Sequence, residues 1–435
     1  RDQLRKNAQV LERVEFAWTG RLPRLSTASA PRCNCWAMLG TSLLCLSLLS
    51  LGAWVVLIFF RGGFWRCRER IDGPPGTVES WPPVTALVPA RNEAEAIGDC
   101  VRGLVRQRYP GAFRIVVIDD HSTDGTAALA ARAAAEAGGA ERLSVIGARA
   151  LEPGWAGKVW AMAEGHAHAG RAFPDTQYFW LTDADIAHDS SNLQRLVAVA
   201  ERERLDLTSQ MVLLATEGFW AGLLVPAFVF FFQKLYPFAW VNDPARRTAA
   251  AAGGSMLLRR AALERIGGFA RLRDALIDDC ALARAVKRGK PDEGQGVEAG
   301  GRIRLGLTTA AASLRPYHGL AGVWRMVARS AFTQLDYSPW LLAGTLLGMA
   351  LLYWGVPVLA LAALLAGQGP ALLAALAAWG LMALVFIPTL RLYGRSLLVG
   401  PALPLAGLLY SLMTLASAIA YWRGRGGAWK GRTLP

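Results

Sequence analysis

The sequence predicts an α/β domain, a mostly parallel sheet covered by helices, carried on helices that cross a membrane. Three observations predict it. Long apolar runs without charge lie near both ends of the chain. Between them, short apolar strand candidates alternate with segments of helical period. Two of those strands run directly into acids, Asp119-Asp120 and Asp183-Ala184-Asp185.

The 435 residues suffice for one or two domains with a sizeable core. Apolar residues make up 53% and charged residues 18%, which is not the composition of an ordinary soluble protein. Residues 36–60 contain no charge, and neither do the runs 339–366, 371–390 and 396–422. Each approaches or exceeds the roughly 20 residues that cross a bilayer as helix. One N-terminal span and about three C-terminal spans are expected; buried core helices are the alternative. Residues 1–35 have no sustained apolar pattern and receive no fold. The 36–60 run is too long for a signal-peptide core. It leads into Arg61, Arg66, Arg68 and Arg70 without a small-residue cleavage site, so it reads as an uncleaved anchor. Residues 61–83 read as a basic, Pro/Gly-rich linker, 84–310 as the α/β domain, 311–338 as an interfacial amphipathic segment, 339–422 as the C-terminal spans and 423–435 as a basic tail.

Basic residues at 61–70, 391–395 and 423–432 all ask for the cytoplasmic side. That predicts a multi-pass membrane protein with a cytoplasmic α/β domain. Three C-terminal crossings cannot satisfy all three clusters, so either one run is re-entrant or interfacial, or the tail is exported despite its charge. The net charge of +14 comes without a long basic run interleaved with aromatics, so it reads as attraction to a membrane surface rather than to nucleic acid. The six cysteines form no CxxC pairs and are expected as free thiols.

Within the central domain, Val84–Val88 is the first strand and Glu93–Arg106 has helical spacing. Arg114–Ile118 is the second strand, followed by an Ala-rich helix over Thr126–Ala137 with Asp124 as a plausible N-cap. Leu143–Ile146, the helix Ala156–Ala169, the strand Tyr178–Leu181 and the helix Asn192–Arg204 come next. Ligands of such sheets bind beyond the carboxyl ends of the strands. The turn Pro89–Glu93 and both acid clusters fall at those ends and should converge on one crevice. Residues 218–240 are intensely aromatic and read as an interfacial helix or a core helix.

Asp183 and Asp185 present carboxylate oxygens suited to Mg²⁺ or Mn²⁺, which are commonly held by one or two carboxylates plus substrate phosphates. Asp119 and Asp120 offer acceptors for a base or a ribose. Lys158, after a glycine-containing loop and at the start of a helix, is either a diphosphate ligand or a surface lysine. Gly253-Gly254-Ser255 permits close backbone approach to a ligand, or is a plain turn. Asp278-Asp279 opens a helix; one acid can serve as general base and the other as cap, or both cap. The five histidines form no metal set, and neither HExxH nor GxSxG occurs.

Taken together, these motifs resemble the family 2 glycosyltransferases over about residues 84–335. The resemblance rests on Pro89–Glu93, Asp119–Thr126, Lys158, Asp183–Asp185, Gly253–Ser255 and Asp278-Asp279, in the family's order. Finer features at 231–244, from His318 onward and at 426–432 are similar to the hopene-associated glycosyltransferases of hopanoid pathways. The resemblance implies a GT-A fold with a Rossmann-like mixed sheet. It implies that Asp120 contacts uracil with Asp119 beside it and Glu93 near the nucleoside. Lys158, Asp183, Gly253 and Gly254 would line the donor. Asp183 and Asp185 would hold Mg²⁺ or Mn²⁺, and Asp279 would be the base with Asp278 its neighbour. It also implies inverting transfer from a nucleotide-sugar to a membrane lipid. The family's Glu-Asp pair is Asp-Asp here. Its QxxRW motif is absent, with Arg325 and Arg329 in roughly that region, which argues against a processive polymer synthase. A transporter with a nucleotide-sensing domain would need ionisable residues inside its spans, and the delimited runs carry none.

Overall fold

The computed structural model describes residues 32–289, 300–424, 428–429 and 432–433. Most of the N-terminal tail, and part of the 426–432 stretch, lie outside the described residues. Helix α1 (Arg32–Phe60) begins before the charge-free run and ends with it. The α/β domain runs β1 (Val84–Ala90), α2 (Ile97–Val105), β2 (Phe113–Asp119), α3 (Thr126–Glu136), β3 (Leu143–Gly147), α4 (Gly157–Ala172), β4 (Tyr178–Thr182), β5 (Ile186–His188), α5 (Asn192–Glu203), β6 (Leu207–Leu213), α6 (Gly218–Leu235), α7 (Phe238–Asn242), β7 (Ser255–Arg259), α8 (Arg260–Arg265), α9 (Asp278–Arg288) and β8 (Ile303–Ser313).

The eight strands form one sheet in the order β3-β2-β1-β4-β7-β6-β8-β5. Strands β3, β2, β1 and β4 are parallel. Strand β7 is antiparallel to β4 and β6, which makes the sheet mixed. Both faces of its parallel half are covered, which is why β1 is buried at every position and reads as an apolar run. The side-chain period of two divides the core. Leu87, Val116, Ile118, Phe179 and Leu181 pack with α4 on one face. Ala86, Val88, Ile115, Val117 and Trp180 pack with α2, α3 and α5 on the other.

Residues 61–83 are more than a linker. Ile71 N donates to Leu307 O at 2.9 Å and Leu307 N to Glu69 O at 2.8 Å, so this segment lies along β8. Asp72 accepts from Thr308 Oγ1 and Thr309 N, both at 2.8 Å. Strand β8 also runs through Ser313, so the sheet extends past residue 310. Asp124 is not the N-cap of α3. Gly125 takes that position at φ +84°, while the Asp124 carboxylate accepts from Ala94 N at 2.9 Å.

Beyond the sheet come α10 (Gly319–Ala328), α11 (Pro339–Met349), α12 (Gly355–Leu365), α13 (Gly369–Leu392) and α14 (Leu403–Trp422). One wide helical turn, Ala350–Trp354, joins α11 to α12. Among the described residues, five helical segments are long and apolar enough to cross a membrane by length and composition: Met38–Phe60, Gly218–Leu235, Pro339–Leu365, Gly369–Leu392 and Leu397–Trp422. The second of these, α6, carries Lys234, so the candidate spans do include an ionisable residue.

Sheet topology decides what α6 can do. It connects β6 to β7, which are hydrogen-bonded neighbours in one sheet. A single crossing by α6 would put those neighbours on opposite sides of a bilayer. It packs instead among the C-terminal helices, with Tyr410 Oη donating to Leu224 O at 3.0 Å. The two ends of the C-terminal block also meet. Ser417 Oγ accepts from Phe332 N at 3.1 Å, and the rings of Tyr337 and Tyr421 stack at 4.4 Å. Residue 337 precedes the first C-terminal span and residue 421 closes the last. Any membrane crossings between them are therefore even in number.

Candidate functional site

The carboxyl ends of β1, β4 and β6 open into a cavity of about 630 Å³. It gathers Glu93, Lys158, Asp183, Asp185, Gly253, Gly254, Asp278 and Asp279. Asp119 and Asp120 do not line it. Asp120 is fully buried, with its carboxylate 3.6 Å from Arg91 Nη1. Asp119 accepts from Ser122 N at 3.3 Å, closing its own turn.

Two loops beside the cavity are stitched together at the ends of β1 and β2. Asn92 and His121 both adopt left-handed backbone, at φ +51° and +55°. That is uncommon for non-glycine residues and here is held by cross-loop bonds. Asn92 Oδ1 accepts from Thr123 N at 2.9 Å, and Thr126 Oγ1 accepts from Glu93 N at 2.9 Å. Glu93 is thereby fixed at the cavity edge.

The turn after β4 rests on a buried polar network. Thr182 Oγ1 donates to Gly254 O at 3.0 Å and meets His188 Nε2 at 2.8 Å. Asn192 Nδ2 donates to His188 Nδ1 at 3.1 Å, and Asn192 exchanges two hydrogen bonds with Gln210. Burial pushes the His188 imidazole down to about 3, so it is neutral. With Nδ1 accepting, its single N–H sits on Nε2 and donates to Thr182. Low dielectric strengthens such a satisfied network and makes it rigid. The strand end carrying Asp183 and the loop carrying Gly254 are therefore set by one framework.

Lys158 stands at the start of α4 between the two acid groups. Its Nζ is 2.8 Å from Asp183 Oδ1 and 3.4 Å from Asp278 Oδ2. Burial opposes its charge, but Asp183, Asp278 and Asp279 outweigh that and raise its pKa. Asp279 lies at the start of α9. Its Oδ2 accepts from Gly253 N at 2.8 Å and its Oδ1 from Cys280 N at 2.7 Å. Burial, then the Asp278 carboxylate, push Asp279 up to about 6 against the pull of Lys158. A Cβ on Gly253 would come within 3.3 Å of both Asp279 Oδ2 and Lys158 Nζ. The close approach that glycine permits here is to the site's own charged groups.

Sequence reasoning missed Arg315. It follows β8, and its guanidinium bridges Glu93, at 2.8 and 2.9 Å, and Asp185, at 2.9 Å. A lone arginine past an unrecognised strand carries no motif. The cavity also has apolar lining from Leu214, Phe228, Phe232 and Met326, interspersed with Tyr317, Arg325 and Arg329.

Do these residues fit a divalent cation? Burial, then the neighbouring Asp183 carboxylate, push Asp185 up to about 6, with Arg315 opposing. Two crowded carboxylates on one turn are short of positive charge, and their oxygens suit Mg²⁺ or Mn²⁺. Among the described residues, no three His, Cys, Asp or Glu side chains group to hold a metal by themselves. The set fits a cation whose remaining ligands come from phosphate oxygens and water.

Residues 85–267 match the sequence model of glycosyl transferase family 2. The match covers less than half of the chain and identifies that stretch, from β1 to α8, as a family 2 glycosyltransferase domain, here built on a mixed sheet. The matched stretch ends before Asp278, Asp279 and Arg315. No curated protein matches the chain. Solved structures similar to it include a mannosyltransferase from Pyrobaculum calidifontis in complex with GDP-Man and Mn²⁺, 20% identical, covering 89% of this chain and 99% of that one at a TM-score of 0.49. A glucosyl-3-phosphoglycerate synthase from Mycobacterium tuberculosis in complex with Mg²⁺ and UDP is 17% identical, covering 62% and 86% at 0.39. TarS of S. aureus in complex with UDP is 14% identical, covering 57% and 65% at 0.34.

Proposed function

We propose that this chain is a membrane-bound, inverting glycosyltransferase. It moves a sugar from a nucleotide-sugar, UDP-linked, to the hydroxyl of a membrane lipid, with a hopanoid as the first acceptor to test. One observation carries the reading. A single cavity is walled by catalytic-type acids on one side and by apolar residues of the membrane-type helix layer on the other.

Asp279 is the general base. It takes the proton of the acceptor hydroxyl as that oxygen attacks the anomeric carbon, and its pKa near 6 leaves it mostly ionised at neutral pH. Lys158 faces the departing diphosphate and also holds Asp278 and Asp183 in place. Asp183 and Asp185 would hold the Mg²⁺ or Mn²⁺, which when bound supplies stabilisation of the charge on the leaving diphosphate. Asp120, Asp119 and Glu93 serve the nucleoside half. A single displacement inverts the anomeric centre.

The α/β domain faces the cytoplasm of a bacterial inner membrane in this reading. Helix α1 and the segments 339–365 and 369–392 cross, while α6 and 397–422 do not. All three basic clusters then share the cytoplasmic side, as the positive-inside rule asks. The contact of Arg395 with α6 near Gly222 supports this placement of 391–395. To test the function, purified protein is incubated with a panel of nucleotide-sugars, Mn²⁺ and a lipid extract, and products are read by mass. A new glycolipid is expected, lost with EDTA and with Asp279→Asn. No glycolipid, or one indifferent to both, rejects the mechanism.

A further inference from the structure

Three features set Arg315 apart from an ordinary surface cation. Its guanidinium is shared between two carboxylates from different strand ends, Glu93 after β1 and Asp185 after β4. One of those, Asp185, belongs to the pair fitted to a divalent cation. Its backbone is pinned there as well, because Leu314 N donates to Asp185 O at 2.7 Å. The side chain is about 44% exposed, whereas Glu93 and Asp185 are 13% and 14% exposed. The guanidinium therefore lies over the acids, on their solvent side, and has room to move while its Cα does not.

Charge balance governs how this cluster responds to a cation. In this ion-paired group the carboxylates outnumber the two cations, Lys158 and Arg315. A partly exposed arginine pair is weak, about 1 kcal/mol or less. A divalent cation binding the same oxygens replaces one charge with two and displaces the guanidinium. Tethered at Leu314, the guanidinium remains in the cavity, where a diphosphate is the anion to receive its forked donors.

We infer that Arg315 is a donor-binding residue with two successive partners: it occupies Asp185 and Glu93 before a divalent cation binds, then releases Asp185 and grips the donor's diphosphate. This rests on the metal and donor assignment proposed above. It makes a crossed prediction that a merely structural arginine would not. Removing the side chain strengthens binding of the cation alone and weakens binding of the cation-bound diphosphate.

The test uses the full chain in detergent or nanodiscs. Free Mn²⁺ is titrated by its electron paramagnetic resonance signal, first alone and then with UDP or GDP. Arg315→Gln is expected to bind Mn²⁺ alone about two- to five-fold more tightly than the parent, as loss of a competing ion pair worth about 1 kcal/mol or less implies. It is expected to bind the nucleoside diphosphate with Mn²⁺ about ten-fold more weakly. Arg315→Lys keeps the charge and loses the fork, so its Mn²⁺ affinity stays near the parent's while its diphosphate affinity falls. Adding Asp185→Asn to Arg315→Gln removes the gain in Mn²⁺ affinity. Unchanged or weaker Mn²⁺ binding by Arg315→Gln overturns the inference, as does unchanged diphosphate binding. If no variant, nor the parent, binds Mn²⁺ even with nucleoside diphosphate, the metal assignment itself fails and takes this inference with it.

Discussion

The two walls of the cavity are built on different principles. The acid wall hangs from strand ends and is set by hydrogen bonds: Thr182 to Gly254, His188 to Thr182, Gly253 to Asp279. The apolar wall hangs from α6 and α10 and is set by packing against the helix layer. Directional bonds suit a wall that must place a base and a cation to a fraction of an ångström. Contact without direction suits a wall that accepts a greasy chain. Under the proposed function, the difference assigns the reaction to one wall and the choice of acceptor to the other.

The sharpest way to break this division is to damage the acid wall alone. Asp279→Asn should lower kcat by about 10² to 10⁴ fold, as expected for loss of a general base, with nucleotide binding retained. Calorimetric titration beside a turnover assay would show it; parallel loss of both would mean that Asp279 belongs to binding.

Next in size is the acid limb of the pH profile. Asp279 must be ionised to act, so kcat/KM should fall about ten-fold per unit below pH 6. Stability runs the other way. The folded pKa lies above the unfolded value of about 3.9, so Asp279 contributes stability that is full below that value and lost as pH rises through about 6. Asp279→Asn should therefore raise Tm relative to the parent at pH 8 more than at pH 4, measured without donor or metal.

The apolar wall should respond more gently. Phe232→Ala is expected to raise KM for the proposed lipid acceptor about ten-fold, since the half-buried ring can contribute at most about the 1.5–3 kcal/mol of a fully buried one. Its kcat at saturating acceptor, and its nucleotide affinity, should stay near the parent's. A fall in kcat alone would mean that the two walls are not separable. The smallest effect on activity is expected from Gly394→Cys and Arg423→Cys, placed to report topology. Both should be labelled by a membrane-impermeant thiol reagent only from the cytoplasmic face; labelling from opposite faces would unseat the even-crossing arrangement.

Legibility in the sequence splits along the same line. Strands β1, β2 and β4 are readable because both faces are largely buried and each is an apolar run with a polar stop. Strands β6 to β8 are not. Thr208, Ser209 and Gln210 are buried polar residues in β6, and Ser209 and Gln210 join hydrogen-bond networks rather than an apolar face. The acids of the site stand out because carboxylates after apolar strands need a reason. Their neighbours His188 and Arg315 do not, since a lone histidine and a lone arginine acquire meaning only from what the fold sets beside them. Asp119 and Asp120 are conspicuous in the sequence, yet neither lines the cavity. Helix α6 has the length and hydropathy of a span, and only the pairing of β6 with β7 argues that it does not cross.

The contact of Phe332 with Ser417, and of Tyr337 with Tyr421, has a consequence in time. During synthesis the acid-bearing strand ends leave the ribosome before α14, the helix that meets Phe332 and Tyr337, has been made. The acid wall can therefore form early, while the segment that follows α10 gains these contacts only later.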